Sequence, residues 1–163
     1  MYNFKNIYYT YNPIRVVVYA RSETGNADAQ IAESTKIIEQ NPEWTLVGTY
    51  TDENVSTSKC GIALNHMLED AMNGKFDLVV TRDISRFSRS DLKAVEFTEK
   101  FLNCGVNVFF VKDNINTLDP DGYLKFKITC KLFDEAFRRH SERVKAGIKA
   151  AKERKEASGS KNS

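Results

Sequence analysis

The order of short apolar runs and helical patterns predicts an α/β fold. The expectation is a mainly parallel four- to five-stranded sheet with helices on both faces, followed by a long projecting C-terminal helix. Three observations carry it. Runs such as Arg15-Val-Val-Val-Tyr19 are short, β-branched and unbroken, as in strands covered on both faces. The segments between them place apolar residues at helical spacing. After Asp119-Pro-Asp-Gly122 the alternation stops, and good helix formers run on with Gly147 alone interrupting them.

Taken in order, residues 1–13 read as an irregular leader rich in Tyr and Asn, closed by Pro13. The first strand follows at Arg15 to Tyr19. Ala27, Ile31, Thr35 and Ile38 mark a helix that stops at Asn41-Pro42. Trp44 to Tyr50 alternates as a second strand, and Asp52 to Gly61 is polar and turn-rich. Ile62 to Met72 is a helix ended by Asn73-Gly74. Phe76 to Thr81 is a third strand, Asp91 to Cys104 a third helix stopped by Gly105, and Val106 to Val111 a fourth strand. These elements form one domain over 14–122. Residues 123–156 then form one helix, and 157–163 a frayed, disordered tail. A helix of about 30 residues spans roughly 45 Å, more than the globular part requires, so its second half projects.

The chain has 163 residues, 41% hydrophobic and 28% charged, which is enough for one buried core and excludes a largely disordered chain. Its longest apolar runs, such as Val16 to Ala20, fall far short of the roughly 20 residues a membrane helix needs. No basic stretch leads into an apolar segment, so no secretory signal is read. Cys60, Cys104 and Cys130 make neither a CxxC pair nor an even framework, the usage of reduced thiols in a cytoplasmic protein. The net charge of +2 hides an asymmetry. From Arg138 to Lys161 nine basic residues face three acidic ones, a net +6, which leaves 15 against 19, or −4, for the rest. Arg143, Lys145, Lys149 and Lys152 lie in this basic end, and a basic end on an acidic body fits a polyanion partner.

Functional loops of open α/β sheets gather at the carboxyl ends of the strands. Here those loops are Arg21-Ser22-Glu23-Thr24, then Asp52 to Ser56, then Arg82 to Ser90 with Ser85, Arg86 and Arg89. Together they bring hydroxyls and four arginines to one point. Guanidinium groups stay charged and match phosphate oxygens, and a hydroxyl among them is placed to attack a phosphodiester. That chemistry needs neither metal nor cofactor. His66 and His140 have no ligand partner at a useful spacing and read as structural or surface residues. Trp44, Phe76, Phe97, Phe101, Phe109 and Phe110 read as core. Tyr8, Tyr9 and Tyr11 read as a loose N-terminus or as packing on the side of the domain, with a docking arm as the alternative.

These segments resemble the catalytic domain of the serine recombinases, the resolvases, invertases and large serine integrases. The resemblance rests on Tyr19-Ala-Arg-Ser22, Tyr50-Thr-Asp-Glu53 with Ser56, and Ser85-Arg-Phe-Ser-Arg89. It extends to Asn114-Ile-Asn-Thr-Leu118-Asp119, Glu142-Arg143 and Lys145-Ala-Gly147, and covers roughly Ile14 to Glu156. It implies a site-specific recombinase that cuts and rejoins DNA through a covalent 5′-phosphoserine intermediate. Ser22, Arg21, Arg86 and Arg89 would be catalytic, with Tyr19, Asp52, Ser56 and Ser85 in support. The long helix would form the homodimer, and the homotetramer of the synaptic complex, and lead Arg143, Lys145, Lys149 and Lys152 toward DNA. A further C-terminal DNA-binding domain is expected in the full-length protein.

The sequence also departs from the family pattern of Tyr-x-Arg-x-Ser-Thr. In strict register Glu23 stands at the hydroxyl position, with Ser22 one residue early. The loop is about two residues short and lacks a glutamine, Gly61 stands near an expected arginine, and Ala136-Phe137 replaces a Glu-Arg pair. These differences keep open a second reading, a catalytically impaired recombinase fold serving as a DNA-binding and oligomerisation module. A phosphate-sensing regulator using Asp52 and Glu53 is a third, but it lacks a further acid cluster after the first strand.

Overall fold

The computed structural model describes residues 13–55, 61–88 and 90–159. Its elements are β1 (Ile14–Ser22), α1 (Asp28–Glu39), β2 (Trp44–Glu53), α2 (Ile62–Met72), β3 (Leu78–Thr81), a 3₁₀ turn (Ile84–Arg86), α3 (Asp91–Asn103), β4 (Asn107–Phe110), β5 (Ile115–Asn116) and α4 (Gly122–Gly159). The sheet order is β2-β1-β3-β4-β5. The first four strands pair in parallel, and β5 returns antiparallel to β4. That short return strand has no run of its own in the sequence; Asn114, at φ 51°, turns the chain into it. The expectation of a four- to five-stranded, mainly parallel sheet holds, with five strands.

Alternation along β1 explains why the sheet is covered twice. Val16 and Val18 pack with Ile38, Leu78 and Val80 against α1 on one face. Val17 and Tyr19 enter the larger cluster on the other face with Leu64 and Met67 of α2, Phe97 and Phe101 of α3, and Phe126 of α4. Trp44 and Phe109 are half-buried at the rim, edge-to-face at 6.2 Å. Phe76, Phe97, Phe101 and Phe110 are core.

Local chemistry fixes the helix ends. Gly74 and Gly105 take φ of 68° and 78°, which an L side chain resists. In each case the glycine N–H and the next one turn back onto the last turn: Gly74 to Ala71 and Lys75 to Asp70, Gly105 to Leu102 and Val106 to Phe101. Both helices therefore stop where the next strand must start.

Helix α4 is 38 residues long. Its root is held by Phe126, stacked on Phe110 at 5.3 Å and 5°, and by buried Cys130. Leu124, Ile128 and Leu132, on the same half of the helix, are exposed. From Arg138 to Ala150 every residue but Ser141 is exposed. No described helix is long and apolar enough to cross a membrane. His66 and His140 are exposed, and Cys104 and Cys130 carry reduced thiols. The readings of the leader 1–12, Ser56, Cys60, Arg89 and the last four residues fall outside the described residues.

Candidate active site

The strand order creates the site. From β1 the chain crosses to β2 on one side and later to β3 on the other, so the carboxyl end of β1 is a switch point flanked by two loops. In register Arg21 pairs with Asp52 and Ser22 with Glu53, while Tyr19 pairs with Thr81. Three of the expected loops therefore meet around the end of β1.

On the β2 side, Asp52 is 4% exposed and fully engaged. Its carboxylate accepts the Tyr19 hydroxyl at 3.0 Å and the backbone N–H groups of Ala63 at 3.0 Å and Leu64 at 3.1 Å. Those amides are orphans at the start of α2, whose first flanking residue, Gly61, has no side chain to cap them. A carboxylate there also suits the positive end of the helix. Burial, and then the charge of Asp52, push the Tyr19 phenol far above its ordinary pKa, while the nearby Arg21 guanidinium opposes them by charge and hydrogen bond. The phenol is thus a fixed donor.

At the tip of β1, Arg21 and Ser22 are 1% and 6% exposed. Gln30, from the first turn of α1, braces the Arg21 backbone: its amide donates to Arg21 O at 2.8 Å and accepts from Arg21 N–H at 3.4 Å. The Ser22 hydroxyl oxygen accepts the N–H groups of Thr24 at 3.3 Å and Asn26 at 3.2 Å, and lies 3.3 Å from Thr24 Oγ1. It serves here as the hub of a turn. Glu23 and Thr24 are exposed. Glu53 accepts Ala27 N–H at 3.2 Å, which ties the β2 loop to the start of α1.

The β3 loop brings Arg86 into the same crevice. Its guanidinium donates to Arg21 O at 2.9 Å, to Ser85 Oγ at 3.2 Å and to Asp83 Oδ1 at 3.2 Å. Ser85 donates in turn to Asp83. Asp83 therefore sets the Arg86 fork, and a quarter of the Arg86 side chain stays open to solvent at 24% exposure. Arg82 is half-buried beside it.

Of the expected residues, the structure brings Tyr19, Arg21, Ser22, Asp52, Ser85 and Arg86 together. Arg143, Lys145 and Lys149 are exposed on α4. Lys145 and Lys149 stand four apart on one helical face; the side chain of Lys152 lies outside those described. Sequence reasoning missed Gln30, Asp83 and Asp113. A glutamine within the apolar spacing of α1 and an acid three residues before Arg86 were usable signals; the contact from Asp113 is long-range and left none. Among the described residues no group of three His, Cys, Asp or Glu side chains could hold a metal ion.

A family model described as Resolvase, N terminal domain, matches residues 16–157. Among solved structures, the chain is similar to the N-terminal catalytic domain of TP901-1 integrase, at 27% identity and TM-score 0.66, over 77% of this chain and 97% of that one. It is similar to a resolvase family site-specific recombinase from Streptococcus pneumoniae at 22% identity and TM-score 0.60, over 85% and 95% of the two chains. The C-terminal catalytic domain of ISC1926 TnpA, an IS607-like serine recombinase, follows at 20% identity and TM-score 0.54, over 60% and 70%. The last two likenesses speak for the fold alone. No curated protein sequence matches the chain.

Proposed function

The chain belongs to the resolvase N-terminal domain family and is a serine recombinase catalytic domain acting on DNA; from that premise we propose that Ser22 is its attacking group and that Arg21 and Arg86 bind the scissile phosphate. The single observation that carries this reading is the bond from Arg86 to Arg21 O at 2.9 Å. It joins the β3 loop to the residue next to Ser22, the serine that ends β1.

The chemistry is a phosphoryl exchange. Ser22 Oγ bonds to phosphorus, the bond from phosphorus to the 3′-oxygen breaks, the serine proton passes to solvent, and the 3′-oxygen takes one up. Religation reverses the same steps. Charge grows on the phosphoryl oxygens at the crowded phosphorus, and a pre-set guanidinium stabilises it by about 2.7–4 kcal/mol if it acts like a single oxyanion donor. Arg89 is assigned to the same phosphate, with Tyr19, Asp52, Ser56 and Ser85 in support. Because Ser22 Oγ holds the turn through two N–H groups, attack requires that turn to open. Arg143, Lys145, Lys149 and Lys152 neutralise phosphates along α4. Dimers form through α4 and tetramers in the synaptic complex. Target selection falls to a further DNA-binding domain in the full-length protein, which works in the cytoplasm.

A second reading, the same fold without strand cleavage, is favoured by that use of Ser22 in the turn. Denaturing gels of wild type and Ser22→Ala incubated with DNA from the ends of the parent genetic element separate the two. Protein-linked 5′ ends that vanish in Ser22→Ala are expected. DNA binding with no linked ends in the wild type supports the second reading.

A further inference from the structure

The loop after β4 grips the arginine loop at one atom. Asp113 Oδ2 accepts the backbone N–H of Ile84 at 2.8 Å, and Ile84 is the first residue of the 3₁₀ turn that carries Ser85 and Arg86. The two loops run together before that point. Val111 N–H donates to Thr81 O at 3.0 Å and Lys112 N–H to Arg82 O at 2.8 Å, so the β3–β4 pairing outlasts both strands. Asn114, with its positive φ, closes a turn onto Val111 O at 3.2 Å and aims Asp113 back across the gap.

The far side of this loop leads into α4. Through β5 the chain reaches Gly122, where a Cβ would lie 1.8 Å from Asn116 O, so the first residue of α4 is pressed against the hairpin. Asp113 thus stands between the base of the long helix and the turn that presents Arg86. Its setting is costly. Burial raises its carboxyl pKa, the bond from Ile84 lowers it, and the charge of Asp83 raises it further. Ile84 is itself buried, and the Asp113 carboxylate is the partner its N–H finds.

We propose that Asp113 is a positioning residue for the phosphate site: its bond to Ile84 N–H sets the 3₁₀ turn so that Arg86 presents its fork in the strand-end crevice. The proposal rests on the reading of Arg86 as a phosphate ligand. Asp113 touches no reacting atom and acts through the backbone of Ile84.

The test uses the full chain and inorganic phosphate, read by the Arg86 Nε–H resonance and by amide exchange at Ile84. In Asp113→Ala, phosphate binding is expected to weaken about fivefold, the factor one ordinary hydrogen bond supplies, and Ile84 exchange to quicken by a similar factor. Asp113→Asn keeps an acceptor oxygen and is expected to match the wild type in both. If Asp113→Ala does not fold, Asp113→Glu, which displaces the acceptor by one methylene, is expected to weaken phosphate binding instead. Unchanged phosphate affinity in Asp113→Ala, or in Asp113→Glu where the alanine variant does not fold, or no phosphate-dependent shift of Arg86 in the wild type, overturns the proposal. Absence of DNA cleavage with a normal phosphate response would count against Ser22 as nucleophile and not against Asp113.

Discussion

Asp52 occupies the space a side chain at residue 61 would need: a Cβ on Gly61 would lie 1.8 Å from Asp52 Oδ2. The backbone at Gly61 is ordinary, with φ −71° and ψ 145°, so the demand for glycine is steric. The same carboxylate caps α2 and holds Tyr19. Any side chain at residue 61 itself, an arginine included, thus conflicts with Asp52 as placed.

Gly61→Ala is expected to destabilise the domain by about 1–3 kcal/mol, the usual cost of overpacking. For a chain of this size that lowers Tm by roughly 2–4 °C per kcal/mol. Combined with Asp52→Ala the two effects are expected to be strongly non-additive, since the second change removes the obstacle to the first. Thermal unfolding of the four proteins checks both statements.

Arg86→Ala is expected to cut the cleavage rate by about 10²–10³. Arg86→Lys is expected to recover little, because one ammonium cannot span Arg21 O, Ser85 and Asp83 as the planar fork does. Single-turnover cleavage at saturating DNA measures this, and a retained rate in either variant contradicts the assigned pocket.

The alkaline limb of stability has a named source. Burial, with the Asp70 carboxylate that accepts the Tyr50 hydroxyl at 2.6 Å, pushes Tyr50 up to about 12, against about 10 in an unfolded chain. The folded pKa lies above the unfolded one, so this contribution is complete below pH ~10 and is lost as pH rises toward ~12. Denaturant midpoints across that range are expected to fall more steeply for wild type than for Tyr50→Phe.

Phe126→Ala is expected to cost about 3–5 kcal/mol and to loosen α4 at its root, because the ring is fully buried and stacked on Phe110. Hydrogen exchange should show faster opening over the first turns of α4, with β1 less affected. Equal loosening of both would mean that the helix has no separate anchor.

Each of Lys145→Gln and Lys149→Gln is expected to reduce the slope of log K against log salt by about 0.9, the value for one neutralised phosphate of duplex DNA. Unchanged slopes would place DNA elsewhere.

The architecture was legible because each strand carries its own signal. The Val16–Val18 run, the stops at Gly74 and Gly105, and the alternation of elements need no knowledge of distant contacts. The site was legible as loops, since strand-end arginines stand out in sequence. How the groups connect was hidden. Asp52, in a polar, turn-rich stretch, caps a helix that begins ten residues later, and the Ser22 hydroxyl organises its own turn; neither set of partners can be read from spacing. Spacing alone does not say which apolar positions of α4 are covered: Phe126 and Cys130 are buried, whereas Leu124, Ile128 and Leu132 are exposed.

The central claim, that Ser22 forms the covalent link, is tested most directly by trapping the protein on nicked DNA from the ends of its parent element and locating the adduct by mass spectrometry. A phosphodiester-linked nucleotide on Ser22 is the expected result. An adduct on Thr24 or another hydroxyl, or DNA binding with no adduct at all, would contradict it.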